Sequence, residues 1–207
     1  MNKLYKLIII LPILIVGCTP KVIEDNKLTQ KIDSLDMNIF SKEGEKIYSV
    51  KSPYSSYDKT NQKFILRKTT INIFKGELTK YIIDSDESSL SENNKILELK
   101  GNVRLITINQ EDEILYADNF FWNIEKANYL LKGNIRFENK NIILNSDKAT
   151  LDSDNIIEFF NPVKYIIKDK NNDTNYEINS ENAYYNMNTN SVRFGSKDKR
   201  VRTKMYF

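Results

Sequence analysis

The chain has no histidine, and its one cysteine is Cys18. Those two facts exclude the usual zinc centres, a histidine-assisted nucleophile and an intramolecular disulfide. Carboxylate-only or lysine-based chemistry stays formally open, but no spacing singles out a pair, and neither catalysis nor a cofactor or metal is expected. Six glycines and four prolines in 207 residues are few, and no stretch past the N-terminus carries helical periodicity. Charge of one sign is also missing. Without residues 1–17, which contribute Lys3 and Lys6 and no acid, 29 basic residues face 28 acidic ones. Such a balance is no electrostatic footprint for nucleic acid.

Only one long apolar run occurs, LIIILPILIVG from Leu7 to Gly17. At eleven residues it is too short to cross a bilayer comfortably, and it contains a proline, so it reads as the apolar region of a signal peptide. Ile15-Val16-Gly17-Cys18 resembles the bacterial lipobox, in which the cysteine is acylated and becomes the mature N-terminus. The expected organisation is a signal peptide over 1–17, a lipid anchor at Cys18 with a tether to residue 45, and one domain over 46–207. The other reading of the same residues is a short signal-anchor with an incidental cysteine. Several acyl chains hold a protein firmly to a membrane where one does so only marginally. Within the tether, Leu35, Met37, Ile39 and Phe40 could pack on the domain edge.

What the chain has in abundance is β-branched and aromatic residues broken by Asn, Asp, Ser and Lys, a composition of strands and turns. KGNVRL at 100–105 returns as KGNIRF at 132–137, and a fixed period marks a chain built from one repeated unit. Each unit opens on a small residue between an apolar residue and, usually, an acid: VKSP at 50–53, IDSD at 83–86, LYAD at 115–118, LNSD at 144–147 and INSE at 178–181. Five residues beyond the small one stands Tyr57, Leu90, Trp122, Leu151 or Tyr185. A polar turn rich in Asn, Asp and Ser follows, as hairpin loops require. The second strand then reads LELKGNV at 97–103 or YLLKGNI at 129–135, with weaker copies at 64–70, 157–163 and 192–198.

Strand side chains alternate between faces, so about five hairpins give about ten antiparallel strands with one apolar face. Left wet, that face would cost roughly 1.5–3 kcal/mol per large side chain. The expected fold is therefore all-β, an antiparallel sheet folded over as a jelly-roll or V with its apolar face inward; a closed small barrel is the alternative. The inward candidates are Leu97, Leu99, Val103, Leu115, Phe120, Trp122, Leu131, Ile135, Phe137, Leu144, Phe159, Val163, Ile178, Val192 and Phe194. They line either a lipid groove or a dry core, since both use the same alternation. Near the C-terminus, SKDKRVRTKMYF places Lys199, Arg200, Arg202 and Lys204 on an edge strand. Their charges either keep that edge from random pairing or approach lipid phosphates at the groove mouth.

The units Leu115-Tyr116-Ala117-Asp118 and Lys132-Gly133-Asn134-Ile135-Arg136-Phe137 resemble the OstA-like repeat of the lipopolysaccharide-transport proteins LptA, LptC and LptD. IYSVKSPYSSYD at 47–58 resembles the opening of LptC-type proteins. The resemblance covers about residues 46–207 and implies a V-shaped β-roll whose interior holds lipid A acyl chains. It further implies lipopolysaccharide received from an inner-membrane ABC transporter. An LptA-like partner would dock by edge-strand pairing at Arg200, Arg202 and Lys204. It places the protein in the periplasm, held by an N-terminal lipid at a membrane. The family points to the inner membrane, while Thr19 leaves the outer one open. From a different class, the same repeats could serve as a lipid-anchored scaffold with a dry core.

Overall fold

The computed structural model describes residues 28–91, 93–108, 113–126, 128–140, 142–168, 174–195 and 201–206. Among them run twelve strands: β1 (Thr29–Phe40), β2 (Lys46–Asp58), β3 (Lys63–Lys75), β4 (Leu78–Ser91), β5 (Ile96–Thr107), β6 (Ile114–Asn123), β7 (Asn128–Asn139), β8 (Ile142–Leu151), β9 (Ile156–Lys168), β10 (Thr174–Asn186), β11 (Ser191–Gly195) and β12 (Arg202–Met205). They form one antiparallel sheet in chain order from β1 to β11, and β12 pairs with β10 beside β11. The all-β folded sheet expected from alternation is therefore present.

A line of backbone irregularities crosses the sheet at mid-strand. Ser34 in β1 and Lys68 in β3 are left-handed (φ 61° and 52°), as are Gly101-Asn102 in β5 and Gly133-Asn134 in β7. Facing them, the pairing register shifts between Asp84 and Glu87, between Tyr116 and Asn119, and between Asn145 and Lys148. Extra residues in one strand of a pair bend it and deepen its twist. Repeated at the same height, they crease the sheet. The small residues recognised in the repeat stand on this crease. Ser52 Oγ stands 2.8 Å from both the Tyr54 and Arg67 carbonyls, and Ser146 Oγ is likewise near those of Lys148 and Phe160, so each single hydroxyl proton is shared between two acceptors. Their hydroxyls satisfy carbonyls that the bulge removes from the ladder.

Each strand from β1 to β10 thus gives one half to each of two leaves. Leaf A carries the halves beside the β1–β2, β3–β4 and β5–β6 turns, and leaf B those beside the β2–β3, β4–β5 and β6–β7 turns. The leaves face each other with a stagger. Tyr48 in leaf A of β2 meets Trp122 in leaf B of β6 edge-on, ring centres 5.3 Å apart. Phe137 in leaf A of β7 meets Tyr185 in leaf B of β10 at 4.5 Å. A strand's leaf-A half therefore lies over the leaf-B half of a strand three or four places later.

The tether expected over 18–45 is shorter on the domain side. Residues 29–40 form the whole of β1, paired with β2 from Thr29–Asp58 to Phe40–Lys46. Leu35, Met37 and Ile39 pack on the core, whereas Phe40 is exposed. The left-handed Ser34 explains why alternation did not disclose this strand: it separates Ile32 from Leu35 by three residues instead of two. Cys18, Lys199 and Arg200 lie outside the described residues.

Candidate functional site

The interior between the leaves gathers side chains from each of the strands β1 to β11. Of the fifteen inward candidates, Leu97, Leu99, Phe120, Trp122, Leu131 and Phe159 are buried on leaf B. Val103, Leu115, Ile135, Phe137, Leu144 and Val163 are buried on leaf A, and none of the twelve exceeds 3 % exposure. Ile178, Val192 and Phe194 are half-buried against the same core. All fifteen thus share one face, and at its centre they fill the space between the leaves by touching one another.

The stagger leaves the two ends of the interior partly uncovered. At the N-terminal end, leaf B of β1 to β3 is covered close to the crease, where Ser55 and Leu66 are buried, and is open toward the β2–β3 turn. There a cavity of about 350 Å³ is lined by Gln30, Ile32, Tyr57, Gln62, Phe64 and the Asn93-Asn94 turn. The rings of Tyr57 and Phe64 stand 4.9 Å apart on its apolar wall. At the C-terminal end, leaf A is covered close to the crease, where Val163 and Tyr165 of β9 are buried and Tyr165 meets Phe194 edge-on, and is open toward the β7–β8 and β9–β10 turns. Ile142, Ile167 and Ile178 are half-buried there, while Tyr176 and Met205, paired across β10 and β12, are exposed. Sequence reading missed the N-terminal mouth. Tyr57 was visible as a repeat position, but Ile32 belongs to the strand that the left-handed Ser34 concealed.

Polar groups bridge the leaves at a few points. Tyr48 donates from its hydroxyl to the Asn94 carbonyl (2.8 Å), and Tyr81 to Asn155 Oδ1 (3.1 Å). Both phenols are pushed well above their usual pKa by burial, and Tyr129 rises to about 12 for the same reason. Glu113, just before β6, is 2 % exposed. Its Oε1 accepts from the Tyr185 hydroxyl at 2.6 Å and from Asn139 Nδ2 at 2.9 Å, tying leaf A to β10 of leaf B. Burial raises its pKa against the lowering effect of those two bonds, and Oε2 has no hydrogen-bond partner among the described residues. Sequence reading missed this buried acid, because no spacing singles it out. It is a single carboxylate bonded to a phenol and an amide, and it fastens the two leaves together.

The outer edge strand β12 carries Arg202 and Lys204, both exposed. Lys204 Nζ reaches Glu177 Oε1 at 3.8 Å, and Lys164 reaches the other oxygen of that carboxylate at 3.0 Å. The two lysines are exposed, while the carboxylate they share is only 12 % exposed. The edge opposite is β1, twelve residues long and without a partner on its outer side among the described residues.

Comparison with known proteins gives three results. The family model for lipopolysaccharide-assembly, LptC-related proteins matches residues 15–129. Among solved structures, the chain is similar to LptH, the LptA-homologous periplasmic component of the lipopolysaccharide transport device of Pseudomonas aeruginosa. That match has 10 % identity and a TM-score of 0.36, and covers 77 % of this chain and 94 % of the other. No curated protein matches the chain.

Proposed function

The chain belongs to the LptC-related lipopolysaccharide-assembly family, and from that premise we propose that it holds lipid A acyl chains between its leaves and passes them along the roll. Members of this family are periplasmic transport proteins without enzymatic activity, and the chain is a lipopolysaccharide-transport protein of that kind. The observation that supports the finer reading is the continuity of the apolar inner face between two partly uncovered ends. It runs from Ile32, Tyr57 and Phe64 at one mouth, through Trp122, Leu131 and Phe137, to Ile178 and Met205 at the other.

In this reading, lipopolysaccharide from the inner-membrane ABC transporter enters at the β1–β3 mouth. It leaves toward an LptA-like protein that adds its own strand to the β11–β12 edge, where Arg202 and Lys204 stand. Strand addition uses the unpaired N–H and C=O groups of an open edge. Acylated Cys18 holds the domain at the membrane. Each methylene moved out of water contributes about 0.8 kcal/mol, so a chain passes only between sites of similar apolar character, which a uniform inner face supplies. Because the central residues touch one another, loading parts the leaves and exchanges side-chain contacts for acyl contacts.

The near-complete burial of those twelve residues also supports a second reading, a lipid-anchored scaffold with a dry core. A photo-crosslinking amino acid at Leu131, in the living bacterium, separates the two. A lipopolysaccharide adduct there, absent from the outward control at Lys132, supports the lipid path. Capture of protein by the β12 edge near Arg202, with no lipid at Leu131, supports the scaffold and rejects the path.

A further inference from the structure

Four buried polar side-chain atoms have no hydrogen-bond partner among the described residues: Ser85 Oγ, Thr107 Oγ1, Glu113 Oε2 and Trp122 Nε1. Three of them have relief close by. Ser85 is a crease serine, and its counterparts Ser52 and Ser146 turn their hydroxyls to carbonyls. Thr107 and Glu113 close the β5–β6 turn together, the Thr107 N–H donating to the Glu113 carbonyl at 3.3 Å. A rotating hydroxyl there stands across the ladder from the free carboxylate oxygen.

Trp122 has no such relief. Its N–H is a donor only, and a rigid ring fixes its direction. Leu97 and Tyr129 flank the residue in the sheet, and the Tyr48 ring closes on it edge-on from leaf A. The Tyr48 hydroxyl is itself committed to the Asn94 carbonyl. A water held here would need two or more polar partners, and the indole is set among a leucine and two aromatic rings.

Position gives this donor a meaning. Trp122 is the last inward residue of β6 before the β6–β7 turn, so it stands on the seam where the free ends of the leaves meet. From there the inward face of β6 runs through Phe120 to Ala117 at the crease, about 17 Å at the rise of a strand. Leu99 and Leu131 lie beside Phe120 on the neighbouring strands. On the crease side everything in this run is apolar, and beyond the seam is water. The indole therefore marks the level at which the chain of an amphiphile ends and its head begins, the level such rings take at other oil–water boundaries.

We propose that Trp122 determines specificity, its N–H donating to the carbonyl oxygen that heads an acyl chain held between the leaves. This rests on the reading that acyl chains lie there. Parting the leaves withdraws Tyr48 from the indole and admits the chain along Phe120, Leu99 and Leu131, with its ester or amide carbonyl at the seam. A phosphate at this depth would be buried against rings, at a far higher cost than a carbonyl. A site built to hydrogen-bond one ligand group rejects the analogue that lacks it, so ester- and amide-linked chains are favoured over ether-linked ones.

The chain contains one tryptophan, so growth of a tryptophan auxotroph on benzothienylalanine replaces Trp122 alone, with sulfur in place of N–H and the ring shape kept. Equilibrium dialysis of the full chain compares the tetradecanoyl ester of glycerol, the tetradecyl ether of glycerol and lipopolysaccharide, whose chains are ester- and amide-linked. The native protein should bind the ester about tenfold more tightly than the ether. The sulfur-bearing protein should bind both with the affinity of the ether, and lipopolysaccharide more weakly than the native protein does. Its denaturation midpoint should not fall, because the N–H has no partner to lose in the closed roll. Equal binding of ester and ether by the native protein would overturn the role of the N–H and leave the lipid path standing. So would a preference, or a lipopolysaccharide affinity, that survives the replacement. A lower midpoint would overturn it too, by showing that the Tyr48 ring already satisfies the N–H. If the native protein binds none of the three, the interior takes no chain, and the proposal falls with the reading it rests on.

Discussion

Asn102 donates from Nδ2 to Asp86 Oδ2 at 2.7 Å, and one repeat later Asn134 donates to Asp118 Oδ2 at 2.8 Å. In each pair the asparagine is left-handed, follows a left-handed glycine, and holds the acid of the neighbouring strand across the crease. The acid of the first strand and the Gly-Asn of the second are thus the two halves of one hinge. Folding of the sheet, and with it the existence of an interior, rests on this local geometry as much as on the apolar pattern.

Alanine at the hinge glycines should therefore be costly, and unequally so. A β-carbon on Gly133 would stand 2.5 Å from Asp118 Oδ2 and 3.0 Å from its Cβ; on Gly101 the distances to Asp86 are 2.9 and 3.2 Å. Both positions also impose a left-handed backbone, worth about 1–2 kcal/mol against a non-glycine residue. In denaturant titrations Gly133→Ala should lose more stability than Gly101→Ala, and each at least about 1 kcal/mol. Equal midpoints for wild type and both variants would contradict the hinge.

The alternation of Leu97, Leu99, Val103 and Leu105 was legible because the two-residue Gly-Asn bulge preserves the period of two. At Ser34 a single left-handed residue changes the phase, so β1 was read as tether. In a doublet such as Ile143-Leu144 the repeat assigns Leu144 to the inner face, where it is buried, and says nothing of the isoleucine beside it. Neither could sequence reveal the stagger between leaves, which pairs Tyr48 with Trp122 across 74 residues.

The weaker repeat copy at β3 has Lys68 where the best copies have glycine, and Lys68 is left-handed all the same, with φ 52°. Lys68→Gly should remove that strain of about 1–2 kcal/mol while adding roughly 0.5–1 kcal/mol of chain entropy to the unfolded state. A net gain of up to about 1.5 kcal/mol is expected, opposite in sign to Gly133→Ala. A loss in the same titration would mean the lysine contributes more than its backbone costs.

Trp122 stands against two rings, Tyr48 of the other leaf and Tyr129 of its own, each at 5.3 Å. Trp122→Ala should cost about 3–5 kcal/mol, the range for large aromatic truncations in a core. Lys132→Ala, on the exposed face of the neighbouring strand, should stay within about 0.5 kcal/mol. Thermal unfolding of the two variants side by side checks this. A small loss at Trp122 would mean that the leaves are held apart from each other in solution.

Glu113 supplies the pH dependence. Its ordinary pKa is 4.5 and the folded state raises it, chiefly by burial, so the native protein binds this proton more readily than the unfolded chain does. Its contribution is therefore most favourable below the ordinary value and is lost as pH rises through the raised one. Glu113→Gln carries no such proton. The difference in stability between wild type and Glu113→Gln should move in favour of the variant as pH climbs from 4.5 toward neutrality, then become constant. Tyr185→Phe removes the 2.6 Å hydroxyl donor. It should steepen the wild-type trend, because the carboxylate then loses a bond that favours its charged form. Denaturation midpoints across that pH range measure all three proteins. Parallel curves would show that Glu113 titrates alike in the folded and unfolded states and does not fasten the leaves.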